Sequence, residues 1–158
     1  MSVVSLRIPK IRLPKLLRRP GGPPLAEALE QAAQNLRGAS PAYLADLAAI
    51  LEALQAAAAH LPTVYDGDRL AELYQLASGP IGVASVCGQA PFDAALISLC
   101  DLLDHLKIQQ AWDREAIEVH VRALHMLLLG QVRADSPGAE AVLDGLRQVS
   151  QRYAAGTG

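Results

Sequence analysis

The side chains able to carry chemistry are few, and their spacing does not assemble a centre. Four histidines stand at His60, His105, His120 and His125. His60 closes an alanine-rich stretch just before Leu61-Pro62, where it can serve the last carbonyls of a helix. Asp101 and His105 are four residues apart and share a helix face. Two ligands do not hold a metal, so the pair reads as a solvated polar face. His120 and His125 are five apart, about 140° around a helix, which is not the i, i+4 pair of a zinc helix. Asp113 and Glu118 do not complete a cluster with them. Cys87 and Cys100 lack metal-ligand spacing and read as buried free thiols of a reducing compartment. There is no glycine-rich phosphate loop, no nucleophile elbow and no paired carboxylates in a strand-end context. The expectation is a chain without catalytic residues, metal or cofactor, and not an enzyme.

What must be positioned, then, is a surface. Apolar residues make up 51% of the 158-residue chain and aromatic ones only 4%. A core of Leu, Ala, Ile and Val suits close helix packing and argues against a β-sandwich. Leu25, Leu29, Ala32, Ala33 and Leu36 recur at steps of three and four, which predicts a first helix ended by Gly38. Ser40-Pro41 has the form of a cap followed by proline at the first helical position. It opens a second helix to about residue 60, with Leu44, Leu47, Ile50, Leu51 and Leu54 inward. A third helix starts near Asp68 and meets Pro80, where a break is expected. A fourth runs from about Pro91 to Lys107, with Phe92, Leu96, Leu99, Leu103 and Leu106 inward. Asp113 caps a fifth, along Ile117, Val121, Leu124 and Leu128, and Trp112 is placed to staple onto Ile117. Ser136-Pro137 opens the last, along Leu143, Leu146, Val149 and Tyr153. Short connections between these helices predict an all-α, up-and-down antiparallel bundle, a four-helix core plus one or two extra helices.

Charge divides the chain. Arg7, Lys10, Arg12, Lys15, Arg18 and Arg19 all precede residue 20, while all sixteen acidic residues follow it. The tail carries +6 and the remainder −8, counting histidine as neutral. Two prolines disfavour a helix here, so residues 1–23 read as an extended, basic, proline-rich tail and linker, and 24–158 as the bundle domain. Ile8, Lys10, Ile11, Arg12, Leu13, Lys15 and Leu16 alternate apolar and basic groups, as a docking arm for an acidic surface would. The acidic body argues against nucleic acid. The prolines disfavour the in-plane helix of a membrane anchor. The tail lacks a signal peptide's apolar run, and no apolar stretch reaches the roughly 20 residues of a spanning helix. The expected location is cytoplasmic.

Residues Ser78 to Gly88 are small and glycine-rich, a composition that on a helix suits close approach of another backbone. This stretch resembles the signature of histidine-containing phosphotransfer domains, His-x-x-Lys-Gly-x-(small)-x-x-x-Gly on a bundle helix. Gly82, Ala84 and Gly88 fall on its glycines and small position. Ser78 stands where the family has its phosphorylated histidine, and Ile81 where it has its lysine. A serine lacks the imidazole nucleophile and cannot form the labile phosphoramidate. The resemblance, over roughly residues 25–154, implies a phosphotransfer-like bundle that works by binding: an adaptor, decoy or scaffold in two-component-type signalling. Its partner would be a receiver domain or a kinase, met through Ala77, Ser78, Ile81, Gly82 and Ser85. The alternative is an assembly subunit held on a larger complex by its basic arm. The sequence leaves the oligomeric state open.

Overall fold

The computed structural model describes residue 21 and residues 24–130 and 135–154. The tail residues Ile8, Lys10, Ile11, Arg12, Leu13, Lys15 and Leu16 lie outside the described residues. Among those described there is no strand, and the chain is an all-α bundle. Its helices are α1 (Leu25–Ala59), α2 (Gly67–Ser78), α3 (Val83–Val86), α4 (Ala90–Gln109), α5 (Arg114–Leu128) and α6 (Pro137–Ala154). The chain divides into two units, Met1–Asn35 and Leu36–Gly158.

In the first unit, every side chain from Leu25 to Asn35 is exposed. Leu25, Leu29, Ala32 and Ala33, expected to pack inward, are exposed, and so is Leu36 in the second unit.

The second unit holds the core. Its centre is α4, which buries ten of its twenty residues, from Phe92 to Leu106. The inward face read from the sequence is the observed one, with Phe92, Leu96, Leu99, Leu103 and Leu106 all inaccessible. Helices α2, α3, α5 and α6 pack on α4, and α5 also meets α6. Leu47, Leu51 and Leu54 of α1 join the same core. Each large apolar side chain so enclosed stabilises the fold by roughly 1.5–3 kcal/mol relative to exposure.

Helix starts are capped at three places, and at two of them, Asp113 and Ser136, by the residue the sequence singles out. Asp66 accepts the amides of Asp68 and Arg69 at 2.9 and 3.3 Å. Asp113 accepts that of Ala116 at 2.8 Å, and Ser136 that of Ala139 at 3.3 Å. The Tyr153 hydroxyl also donates to Asp113, tying the end of α6 to the start of α5. Burial first, and that hydrogen bond second, push the Tyr153 phenol up to about 12. Trp112 turns its indole toward the preceding loop, donating to the Val64 carbonyl at 3.1 Å with its ring 5.4 Å from that of Tyr65.

At Gly38-Ala39-Ser40-Pro41 the expectation fails. Two helices were predicted, and one runs through, with Pro41 inside it. The Ser40 hydroxyl donates backward to the Leu36 carbonyl at 2.9 Å instead of accepting a forward amide. Proline at 41 removes the amide that would serve the Arg37 carbonyl, a loss the helix tolerates. The merged helix is, by length and composition, long and apolar enough to cross a membrane, contrary to the expectation that no stretch is. Buried core helices and signal sequences pass the same test, and in this helix Leu47, Leu51 and Leu54 lie in the core.

The single-helix geometry has a direct test. Pro41→Ala restores the missing hydrogen bond, so the thermal midpoint should rise, by a stabilisation of up to about 3 kcal/mol. Were Pro41 the first residue of a separate helix, the same substitution would lower it.

Candidate functional site

The stretch from Ser78 to Gly88 is not a helix face but a corner. Helix α2 ends at Ser78, a turn covers 79–82, and α3 occupies only Val83–Val86. Gly82 takes φ +94° and Gly88 φ +79°, the left-handed region that favours glycine. A Cβ built on either would meet nothing within 4 Å. The close approach expected of these glycines is therefore absent, and their role is to turn the chain. Pro80 supplies the reason for the break, since it cannot continue the ladder of α2.

The corner is fixed from beneath. Ala84 is fully buried and Pro80 is buried. Asp93, in the first turn of α4 and 5% exposed, accepts the Ser85 amide at 2.8 Å and the Ser85 hydroxyl as well. One carboxylate oxygen thus serves both donors of Ser85, while Oδ1 has no hydrogen-bond partner. Turn hydrogen bonds complete the arrangement, from Gln89 N to Ala84 O at 2.8 Å and from Val83 N to Pro80 O at 3.0 Å. The Cys87 thiol lies 4.0 Å from the Ser40 carbonyl of α1.

The predicted contact residues divide over this corner. Ile81, Gly82 and Ser85 are exposed, together with Val86, which is 50% exposed. Ser78 is half-buried at the end of α2. Ala77 is a correction, being fully buried in the core and unable to meet a partner. Its small size serves packing among helices.

A second cluster went unread in the sequence. His120 of α5 is fully buried, with Ser98 of α4 and Ser150 of α6 beside it. Its Nδ1 lies 2.8 Å from the Ala116 carbonyl, so that nitrogen carries the proton and Nε2 is the acceptor. The Ser98 hydroxyl meets Nε2 at 3.1 Å, and the Ser150 hydroxyl donates to the Ser98 carbonyl at 3.2 Å. Burial drives the imidazole below its ordinary pKa, partly opposed by the Ala116 hydrogen bond. A serine and a histidine at this distance have the spacing of a nucleophile and its base. Both are enclosed, however, and the neighbouring helix amides are already committed to the helices, so no donor pair awaits an oxyanion. The cluster is a polar lock joining three helices.

The remaining candidates separate. His60 Nδ1 lies 2.8 Å from the Ala56 carbonyl, the C-terminal role expected of it. Asp101 is exposed and His105 half-buried, and no group of three potential metal ligands occurs among the described residues. Cys87 and Cys100 are free thiols. Burial, with Asp104 and Asp101 adding to it, pushes Cys100 up to about 11, so it stays protonated at neutral pH.

No family model, curated protein or solved structure matches this chain.

Two outcomes follow from these clusters. In the unfolded chain His120 titrates near the ordinary value of about 6.5, while the folded chain resists protonation. The unfolded state therefore takes up the extra proton, and stability should fall as pH drops below about 6.5. Urea unfolding of wild type and His120→Gln at pH 7.5 and 5.5 should show a smaller pH-dependent loss in the variant. Asp93→Ala should strip the Ser85 amide of its acceptor and cost about 1–3 kcal/mol. Amide hydrogen exchange should accelerate at Ser85 before it does in α4.

Proposed function

We propose that this chain is a non-catalytic helical binding module, whose contact surface is the corner between α2 and α4. The observation that carries this reading is that Ile81, on the turn, and Val86, at the end of α3, stand exposed on a corner that Asp93 and Ala84 hold to the core. A fixed apolar surface loses little conformational entropy when a partner covers it. The same corner contains no group suited to phosphoryl transfer. Ser78 cannot replace a histidine, and Ile81 brings no positive charge.

The finer reading is a phosphotransfer-like adaptor or decoy that meets a receiver domain or kinase. It rests on the resemblance at Gly82, Ala84 and Gly88, and on the helical bundle around them. The corner geometry modifies it, since the signature residues lie on turns and a four-residue helix rather than along one continuous helix. A partner would therefore meet a turn and a short helix, not one continuous helix face.

A second reading has one observation in its favour. Leu25 and Leu29 are 76% and 62% exposed, directly after the basic tail. An assembly subunit docked through its arm and the start of α1 would use that stripe.

Binding of the full chain to purified receiver domains, followed by calorimetry, separates the readings. Ile81→Asp combined with Val86→Asp should weaken binding at least about tenfold, as loss of a central apolar contact does. Removal of residues 1–23 should leave it unchanged. Gly82→Arg is a poor probe because its φ of +94° would strain any side chain. Binding lost only with the tail would favour the assembly reading, and no binding to any receiver domain would remove the signalling role.

A further inference from the structure

A groove of about 630 Å³ lies between the last turns of α1 and one face of α5. Its origin is legible in the residues. Helix α1 ends in Ala56-Ala57-Ala58-Ala59, so Ala58 and Ala59 offer only methyl groups to the groove. Helix α5 offers Arg114, Glu118, Arg122 and Met126, every fourth residue and hence one ridge. Long side chains opposite methyl groups leave space between two helices. Val121, 4% exposed, adds an apolar wall, and His125 and Gln55 bridge the two helices at 2.9 Å.

The charge on the groove differs from that of the unit around it. Leu36–Gly158 is acidic overall, yet the groove carries two guanidinium groups and one carboxylate. Arg114 donates to the Leu61 carbonyl at 2.5 Å, which fixes its position. Arg122 pairs with Glu118 at 2.6 Å, where both side chains are more than half exposed. Such an exposed pair contributes little to stability and yields readily to a competing anion. Each guanidinium has five N–H donors and uses one in these contacts, leaving a fork suited to a carboxylate or phosphate. Met126 is a flexible, polarisable side chain able to adapt to an apolar shape. The volume falls in the range of small-molecule sites, about 300–1,000 Å³.

We propose that this groove binds a small organic anion, with its acidic head taking the place of Glu118 on the Arg122 guanidinium and a short apolar body along Val121, Ala58 and Met126. The site is separate from the corner at 78–88 and independent of the binding role assigned there.

The test uses the full chain and 8-anilinonaphthalene-1-sulfonate, an apolar anion whose emission rises on binding. Saturable binding at one site is expected, displaced by decanoate but not by decanol at the same concentration. Arg122→Gln should weaken it at least about tenfold by removing the guanidinium that holds the acidic head. Ala58→Leu should abolish it by filling the groove, and both variants should keep the wild-type circular dichroism. Displacement by decanol as strong as by decanoate overturns the anion recognition. Displacement by inorganic phosphate alone, as strong as by decanoate, overturns the apolar half of the site. Binding unchanged in both variants places the dye elsewhere and overturns the proposal entirely.

Discussion

A helix that is apolar on most of its circumference has to be surrounded, and α4 imposes that condition on this chain. Phe92, Leu96, Leu99, Leu103 and Leu106 are joined by Ala95, Leu102 and Cys100, all withdrawn from water. Such a helix cannot lie on a surface, so α2, α3, α5 and α6 pack on it and α1 contributes to the same core. The polar residues that α4 does bury are each given a partner. Ser98 joins His120 and Ser150, and Asp93 takes both donors of Ser85. These two contacts do different things: the first joins three helices inside the core, and the second fastens a surface corner to the central helix.

That second contact links packing to the reading of function. Pro80 stops α2, and Gly82 and Gly88 turn the chain with positive φ. Without an acceptor below it, a turn so rich in small residues would have little to hold it. Asp93 supplies one from the first turn of α4, where the positive end of the helix dipole also favours a carboxylate. Ile81 and Val86 can then remain exposed on a defined surface, although burying them would be favourable by the hydrophobic effect alone.

The parts legible in the sequence were those decided by local chemistry. The inward face of α4 follows from its apolar spacing, and the caps at Asp113 and Ser136 from side chains that can reach only nearby amides. The join at Ser40-Pro41 was not legible, because the hydroxyl can bond forward as a cap or backward to Leu36, and neighbours choose between them. The glycines were recognised but misassigned, since close packing and positive φ call for the same residue. Ala77 was read as a contact for a similar reason: a small side chain suits a partner's approach and a tight core equally. The buried polar lock did leave a trace. Ser98 interrupts an apolar run, and His120 shares a face with Ile117, Val121 and Leu124. Only the fold brings Ser150 to them, from 52 residues beyond Ser98 and 30 beyond His120.

The most direct measurement is backbone ¹⁵N relaxation of the full chain, read across residues 79–88 against α4. If Asp93 and the buried Ala84 hold the corner as a ready-made binding surface, order parameters there should match those of the helices, near 0.85. Values below about 0.6 from Gly82 to Gly88 would contradict the account, because a segment that mobile presents no fixed surface for Ile81 and Val86.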